Sequence, residues 1–234
     1  MSKIKAIFFD LDGTLAPLDE PRFRDLYMDL IGKKAMSHGH DYKTFISCVG
    51  KGVYNMFTND GKQTNEEVFW KPVYDCFPTF NKDVFEDFYK HDFKQTLCCI
   101  GENKYAREIV EYCKERFDLI VLSTNPLFPK VATLMRMNEV GLKEDDFDYI
   151  TAFEDSYYCK PNPMYFISLL KKFNLKPEEV IVLGNNDYED CQCAFLAGIK
   201  NAYLIGDGLI FDKHCTMKFD HIKMEDVVSF LKTV

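Results

Sequence analysis

Three features of the 234-residue sequence predict an α/β fold built on a doubly wound parallel sheet. They are short apolar runs of strand length, amphipathic helical patterns between them, and polar clusters at the ends of three of the runs. The runs are Ile4 to Phe9, Leu119 to Leu122, Tyr149 to Phe153 and Val180 to Leu183. Continuous runs of this kind suit strands covered on both faces. Residues 103–117 place Tyr105, Ile109, Cys113 and Phe117 four apart beside Ala106 and Val110, which makes one apolar helix face. Residues 163–173 begin with Asn162 as a cap and Pro163 at the first helical position, and Gly198 closes a helix starting near Asp187. Alternation of strands and helices implies the doubly wound core.

Residues 16–94 break the alternation. They show no strand pattern, but helix starts stand at Pro21 after Asp19-Glu20, at Thr64-Asn65-Glu66-Glu67 with capping-box spacing, and at Asn81 ahead of Val84, Phe85 and Phe88. A smaller all-α domain is therefore expected at 16–94, inserted into an α/β core made of 1–15 and 95–234. The insert holds 11 Lys and Arg against 13 Asp and Glu, so most of the net charge of −8 lies on the core. That acidic balance argues against nucleic acid, whose binding relies on clustered cations. Nine cysteines form an odd set with no zinc-like pair of pairs, so free thiols in a reducing cytoplasm are expected. No run approaches the roughly 18 apolar residues of a membrane span, and the apolar stretch before Asp10 is too short for a signal segment. The five histidines show no ligand spacing, and Trp70 and the insert's aromatics read as its packing core.

The polar strand ends are Asp10-Leu11-Asp12-Gly13-Thr14, Ser123-Thr124-Asn125 and Gly184-Asn185-Asn186-Asp187-Tyr188-Glu189-Asp190. In an open parallel sheet such ends share one edge, where ligands bind. Asp10 and Asp12 can face one cleft if the chain turns at Gly13. Carboxylates gathered there repel unless a cation lies between them, and all-oxygen donors select a hard one, with Mg2+ the natural choice. Alone, D-x-D-G equally suits a calcium loop or a plain turn. Thr124 alone could cap a helix, and Lys160 alone could be a surface lysine, although Pro161 restricts its backbone.

The segment Phe8-Phe9-Asp10-Leu11-Asp12-Gly13-Thr14-Leu15 resembles the first motif of the haloacid dehalogenase superfamily. Thr124-Asn125, Lys160-Pro161 and Gly184 to Asp190 resemble the second, third and fourth motifs, in order. The insert resembles the family's helical cap between motifs one and two, and Asn59-Asp60-Gly61 through Phe69-Trp70 with Thr124 to Pro129 is similar to a bacterial subgroup. The resemblance implies a Rossmann-like core and a Mg2+-dependent phosphatase acting on a small phosphorylated metabolite. Asp10 would be the nucleophile and form an aspartyl phosphate; Asp12 would be the general acid and base. Thr124, Asn125 and Lys160 would hold the phosphate, and Asp10, Asp12, Asn185 and Asp190 the metal. The family usually has Gly-Asp where this chain reads Gly184-Asn185, which leaves Asp187 as a substitute ligand and Asp190 as an indirect one. A phosphotransferase or sugar-phosphate mutase using the same phosphoenzyme, and a non-catalytic binding protein, are the alternatives.

Overall fold

The computed structural model describes residues 3–234. Its centre is a six-stranded sheet in which every pairing is parallel. The strands are β1 (Ala6–Phe9), β2 (Leu119–Leu122), β3 (Tyr149–Ile150), β4 (Val180–Gly184), β5 (Asn201–Ile205) and β6 (His221–Ile222), in the order β3-β2-β1-β4-β5-β6. Alternation of side chains across the strands feeds two cores. Ile7, Phe9, Leu122 and Leu183 face α5 (Ala106–Arg116) and α9 (Val227–Leu231). Ala6, Phe8, Val121 and Val182 face α7 (Met164–Lys172) and α8 (Cys193–Leu196). The predicted strands are present, Tyr149 to Phe153 shortened to two residues, while β5 and β6 were not expected. Pro163, not Asn162, stands at the cap of α7, the helix begins one residue later than predicted, and Asn162 Oδ1 accepts the Met164 N–H in the turn that leads in.

Between β1 and α5 lie α1 (Glu20–Ser37), α2 (Tyr42–Phe57), α3 (Asn65–Cys76), α4 (Asp83–His91) and a 3-10 turn at Phe93–Cys99. No strand lies among them. Asp19 caps α1 and Thr64 forms the expected capping box with Glu67 on α3. These helices enclose their own aromatic core, with Trp70 and Phe85 edge to face at 4.3 Å. The passages to and from the sheet run side by side: Asp19 N donates to Cys99 O at 3.0 Å and Gly101 N to Pro17 O at 2.8 Å. The layer also leans on the core. Phe128, which leads into α6 (Lys130–Glu139), packs edge-on to Tyr27 at 5.2 Å. Asn65, fully buried, donates to Pro126 O, while the Asn65 and Glu66 amides donate to Ser156 O and Phe153 O at 2.7 and 2.9 Å. No helix among the described residues is long and apolar enough to cross a membrane.

Candidate active site

The strand order reverses between β1 and β4, and such switch points open a crevice beyond the carboxyl ends of the strands. Asp10 leaves β1 there, held by its N–H to Leu183 O at 2.9 Å. The chain then turns through Gly13 at φ +80, where a Cβ would stand 2.1 Å from Asn185 Nδ2. Glycine at this position thus lets the two loops meet. A Cβ on Gly184 would likewise meet Asp190 at 2.3 Å.

Lys160 is the centre of the charge arrangement. Buried to 1 % exposure, its Nζ lies 2.8 Å from Asp10 Oδ1 and 2.5 Å from Asp190 Oδ1. Burial opposes its charge, but Asp10 and Asp190 outweigh burial and hold its pKa well above the usual lysine value. Burial pushes Asp190 up, to about 6, against the pull of Lys160. Asp190 Oδ2 accepts the Asn185 and Asn186 amides at 3.1 and 3.0 Å. Asp190, expected among the metal residues, thus holds Lys160 with one oxygen and the loop amides with the other. Asp187 turns away to accept the Asp212 amide.

Asn125, expected on the phosphate, lines the cavity and its amide hydrogen-bonds to two neighbouring segments. Oδ1 accepts the Lys160 N–H, while Nδ2 donates to Lys160 O and Glu189 Oε2, each at 3.1 Å. It positions Lys160 through the backbone. Glu189, raised to about 7 chiefly by burial, is thereby tied to the same loop. Thr124 lines the cavity, and its carbonyl is fixed by the Thr151 and Tyr165 hydroxyls at 2.7 and 2.9 Å.

Two side chains with no role assigned from the sequence complete the site. The Thr14 hydroxyl donates toward Asp10 Oδ2 at 3.0 Å and Asn185 Oδ1 at 3.2 Å, drawing those oxygens to one point. Arg136 Nη1 pairs with Asp12 Oδ2 at 2.6 Å, with 1 % of the Arg136 side chain and 22 % of Asp12's exposed. Its guanidinium lies 4.8 Å from the Phe128 ring centroid. Burial raises the Asp12 carboxyl above the ordinary range and Arg136 pulls it back. Arg136 had a sequence signal: it shares the buried stripe of α6 with Ala132, Thr133 and Met137, where a lone cation needs a partner.

A hard cation fits the oxygens present. Asp12 Oδ1 is buried without a hydrogen-bond partner, and the Asn185 amide is oriented by its Nδ2 donating to Gly208 O at 2.8 Å, which leaves Oδ1 beside Asp10. Among the described residues no three His, Cys, Asp or Glu side chains form a metal-holding group. Asp10, Asp12, Thr124, Lys160 and Asn185 line one cavity of about 380 Å³ whose opposite wall comes from α1, α2 and α3.

A family model, haloacid dehalogenase-like hydrolase, matches residues 4–198. The phosphorylated carbohydrates phosphatase of Thermotoga maritima is 26% identical over 235 residues, covering 99% of this chain and 100% of that protein. Pyrophosphatase PpaX of Bacillus mycoides is 22% identical over 80% of this chain and 77% of its own length. Among solved structures, a phosphatase from Thermococcus onnurineus superposes with a TM-score of 0.58 at 17% identity, covering 97% of each chain. The magnesium-bound form of YfnB from Bacillus subtilis gives 0.57 at 17% identity over 99% of this chain and 100% of that one. Motif order, sheet topology and the model match agree, and the chain belongs to the haloacid dehalogenase-like hydrolases.

Proposed function

We propose that the protein is a Mg2+-dependent phosphatase that cleaves a small phosphorylated metabolite through an aspartyl phosphate on Asp10. The observation that carries this reading is the buried Lys160 ammonium 2.8 Å from Asp10 at the floor of a cavity that also holds Asp12 and Thr124. Relatives named as phosphatases of carbohydrates and pyrophosphate support the reaction class. An Asp10 oxygen attacks phosphorus in line as the bond to the leaving oxygen breaks, and Asp12 gives that oxygen its proton. Asp12 then takes a proton from water, whose oxygen displaces phosphate and restores the Asp10 carboxylate. Lys160 offsets the charge of Asp10 and the phosphoryl group, and the Thr124 hydroxyl holds a phosphoryl oxygen. Asp10 and Asn185 Oδ1 would hold Mg2+, which when bound neutralises phosphoryl charge, and the Asp12 carboxyl is left to carry the proton.

Residues 16–94, with the turn that follows, act in this reading as a cap that excludes water and selects substrate. The nine free thiols suit a reducing cytoplasm. The test is hydrolysis of an aryl phosphate with Mg2+ or chelator. Wild type turns over only with Mg2+, and Asp10→Asn, folded by circular dichroism, is inactive. Turnover by folded Asp10→Asn overturns the proposal.

A further inference from the structure

The cavity carries two polar groups that the chemistry at Asp10 does not use. Glu20, the first residue of α1, lines it from the exposed rim, and Asn186 lines it from the loop after β4. Among the described residues the Glu20 carboxylate has no hydrogen-bond or ion-pair partner, since Arg24, one turn further along α1, pairs with Asp25 at 3.3 Å. Partial burial, then the charges of Asp12, Asp10 and Asp190, raise Glu20 above the ordinary glutamate pKa, so its carboxyl shares the field of the reacting groups. Asn186 Oδ1 accepts the Tyr188 and Glu189 amides at 3.0 Å each, which fixes the side chain and leaves Nδ2 as a donor. Other polar atoms of the lining are committed, the Tyr27 hydroxyl to that of Tyr89 at 3.0 Å and Glu189 to Asn125 at 3.1 Å. Phe23, Val49 and Phe69 supply apolar wall.

We infer that Glu20 determines specificity: its carboxylate accepts a hydroxyl of a polyhydroxylated phosphate monoester, Asn186 Nδ2 donates to a second oxygen of that ester, and esters bearing a carboxylate are rejected. This rests on the phosphatase reading above and deepens it. A polyol offers both the donor that Glu20 requires and the acceptor that Asn186 requires, whereas an ammonium group satisfies Glu20 alone. A substrate carboxylate meets Glu20 as a like charge, and that repulsion sharpens the choice. The residue sits on α1, so selection belongs to the helical layer while chemistry at phosphorus stays on the sheet edge.

The experiment measures kcat/KM with Mg2+ for glycerol 3-phosphate, ribose 5-phosphate, glucose 6-phosphate, 2-phosphoglycolate, phosphoethanolamine and phenyl phosphate. Wild type, Glu20→Ala and Glu20→Gln are compared, each checked for fold by circular dichroism. In wild type the best polyol ester should exceed 2-phosphoglycolate and phosphoethanolamine by about tenfold or more. Glu20→Ala should lower the ratio of that ester to phenyl phosphate by about 10- to 100-fold, the loss expected for a hydrogen bond to a charged group. Glu20→Gln keeps an acceptor without the charge, so its ratio falls less and its turnover of 2-phosphoglycolate rises. A merely structural role in the first turn of α1 moves all esters together and leaves the ratio unchanged. That result, or 2-phosphoglycolate or phosphoethanolamine as the best ester, overturns this inference, while Mg2+-dependent hydrolysis of phenyl phosphate leaves the phosphatase reading standing. Failure on every ester, phenyl phosphate included, overturns both.

Discussion

Replacing Arg136 by Met removes the charged partner of Asp12 while keeping an unbranched stem among Phe23, Phe128 and Thr133. The guanidinium is 2.6 Å from Asp12 Oδ2, and Oδ1 already lacks a hydrogen bond, so the variant leaves a carboxylate with little compensation. Removing one partner of a fully buried pair costs about 3–5 kcal/mol. The 22 % exposure of Asp12 places this site at the lower end, about 3 kcal/mol, which for a chain of this size is roughly 6–12 °C in Tm. Burial already raises Asp12 above its unfolded value, so its contribution to stability is present at low pH and lost as pH rises through the folded pKa; losing Arg136 deepens that loss at neutral pH. Calorimetry on Arg136→Met, Asp12→Asn and the double variant gives the coupling. The double variant should be more stable than the summed single losses allow by about 2 kcal/mol. Additive losses, or an unchanged Tm in Arg136→Met, would refute the claim that the ion pair organises the Asp12 carboxyl.

Asn185→Asp restores a charge beside Asp10 but sets a carboxylate against Gly208 O, so it lowers the Tm of the metal-free protein while reducing the half-saturating Mg2+ concentration, both read by thermal shift across a Mg2+ series. Asn65→Ala takes an amide from a fully buried site shared with Asn59 and Pro126 O, costing about 1–3 kcal/mol and speeding hydrogen exchange at the start of α3. Asp146 is held below the ordinary carboxylate range because its bonds to the Lys143 amide, Lys114 and Arg107 outweigh burial. Its contribution is therefore full above the unfolded pKa and lost as pH falls through the folded one, and Asp146→Asn should shrink the Tm difference between neutral and acidic buffer.

The central strands were legible because burial on both faces forces continuous apolar runs, as in β1 and β4. β5 exposes Asn201 and Tyr203 more than their neighbours, and β6 has two residues, so neither carries such a run. Capping at Asp19 and Thr64 is local chemistry and could be read from spacing. The position of Asp10 followed from strand ends meeting at one edge and that of Lys160 from its resemblance to the third motif, whereas the hydrogen bonds of Asn125 and Asp190 depend on loop conformations that residue types do not encode. Arg136 escaped because its partner is 124 residues away.

The nucleophilic role of Asp10 is tested most directly by acid quench during turnover of an aryl phosphate with Mg2+, followed by peptide mass spectrometry. The account predicts a phosphoryl group on the peptide containing Asp10, localised to that residue and absent when substrate is withheld. Sustained turnover with no phosphopeptide, or with the group on another residue, would contradict it.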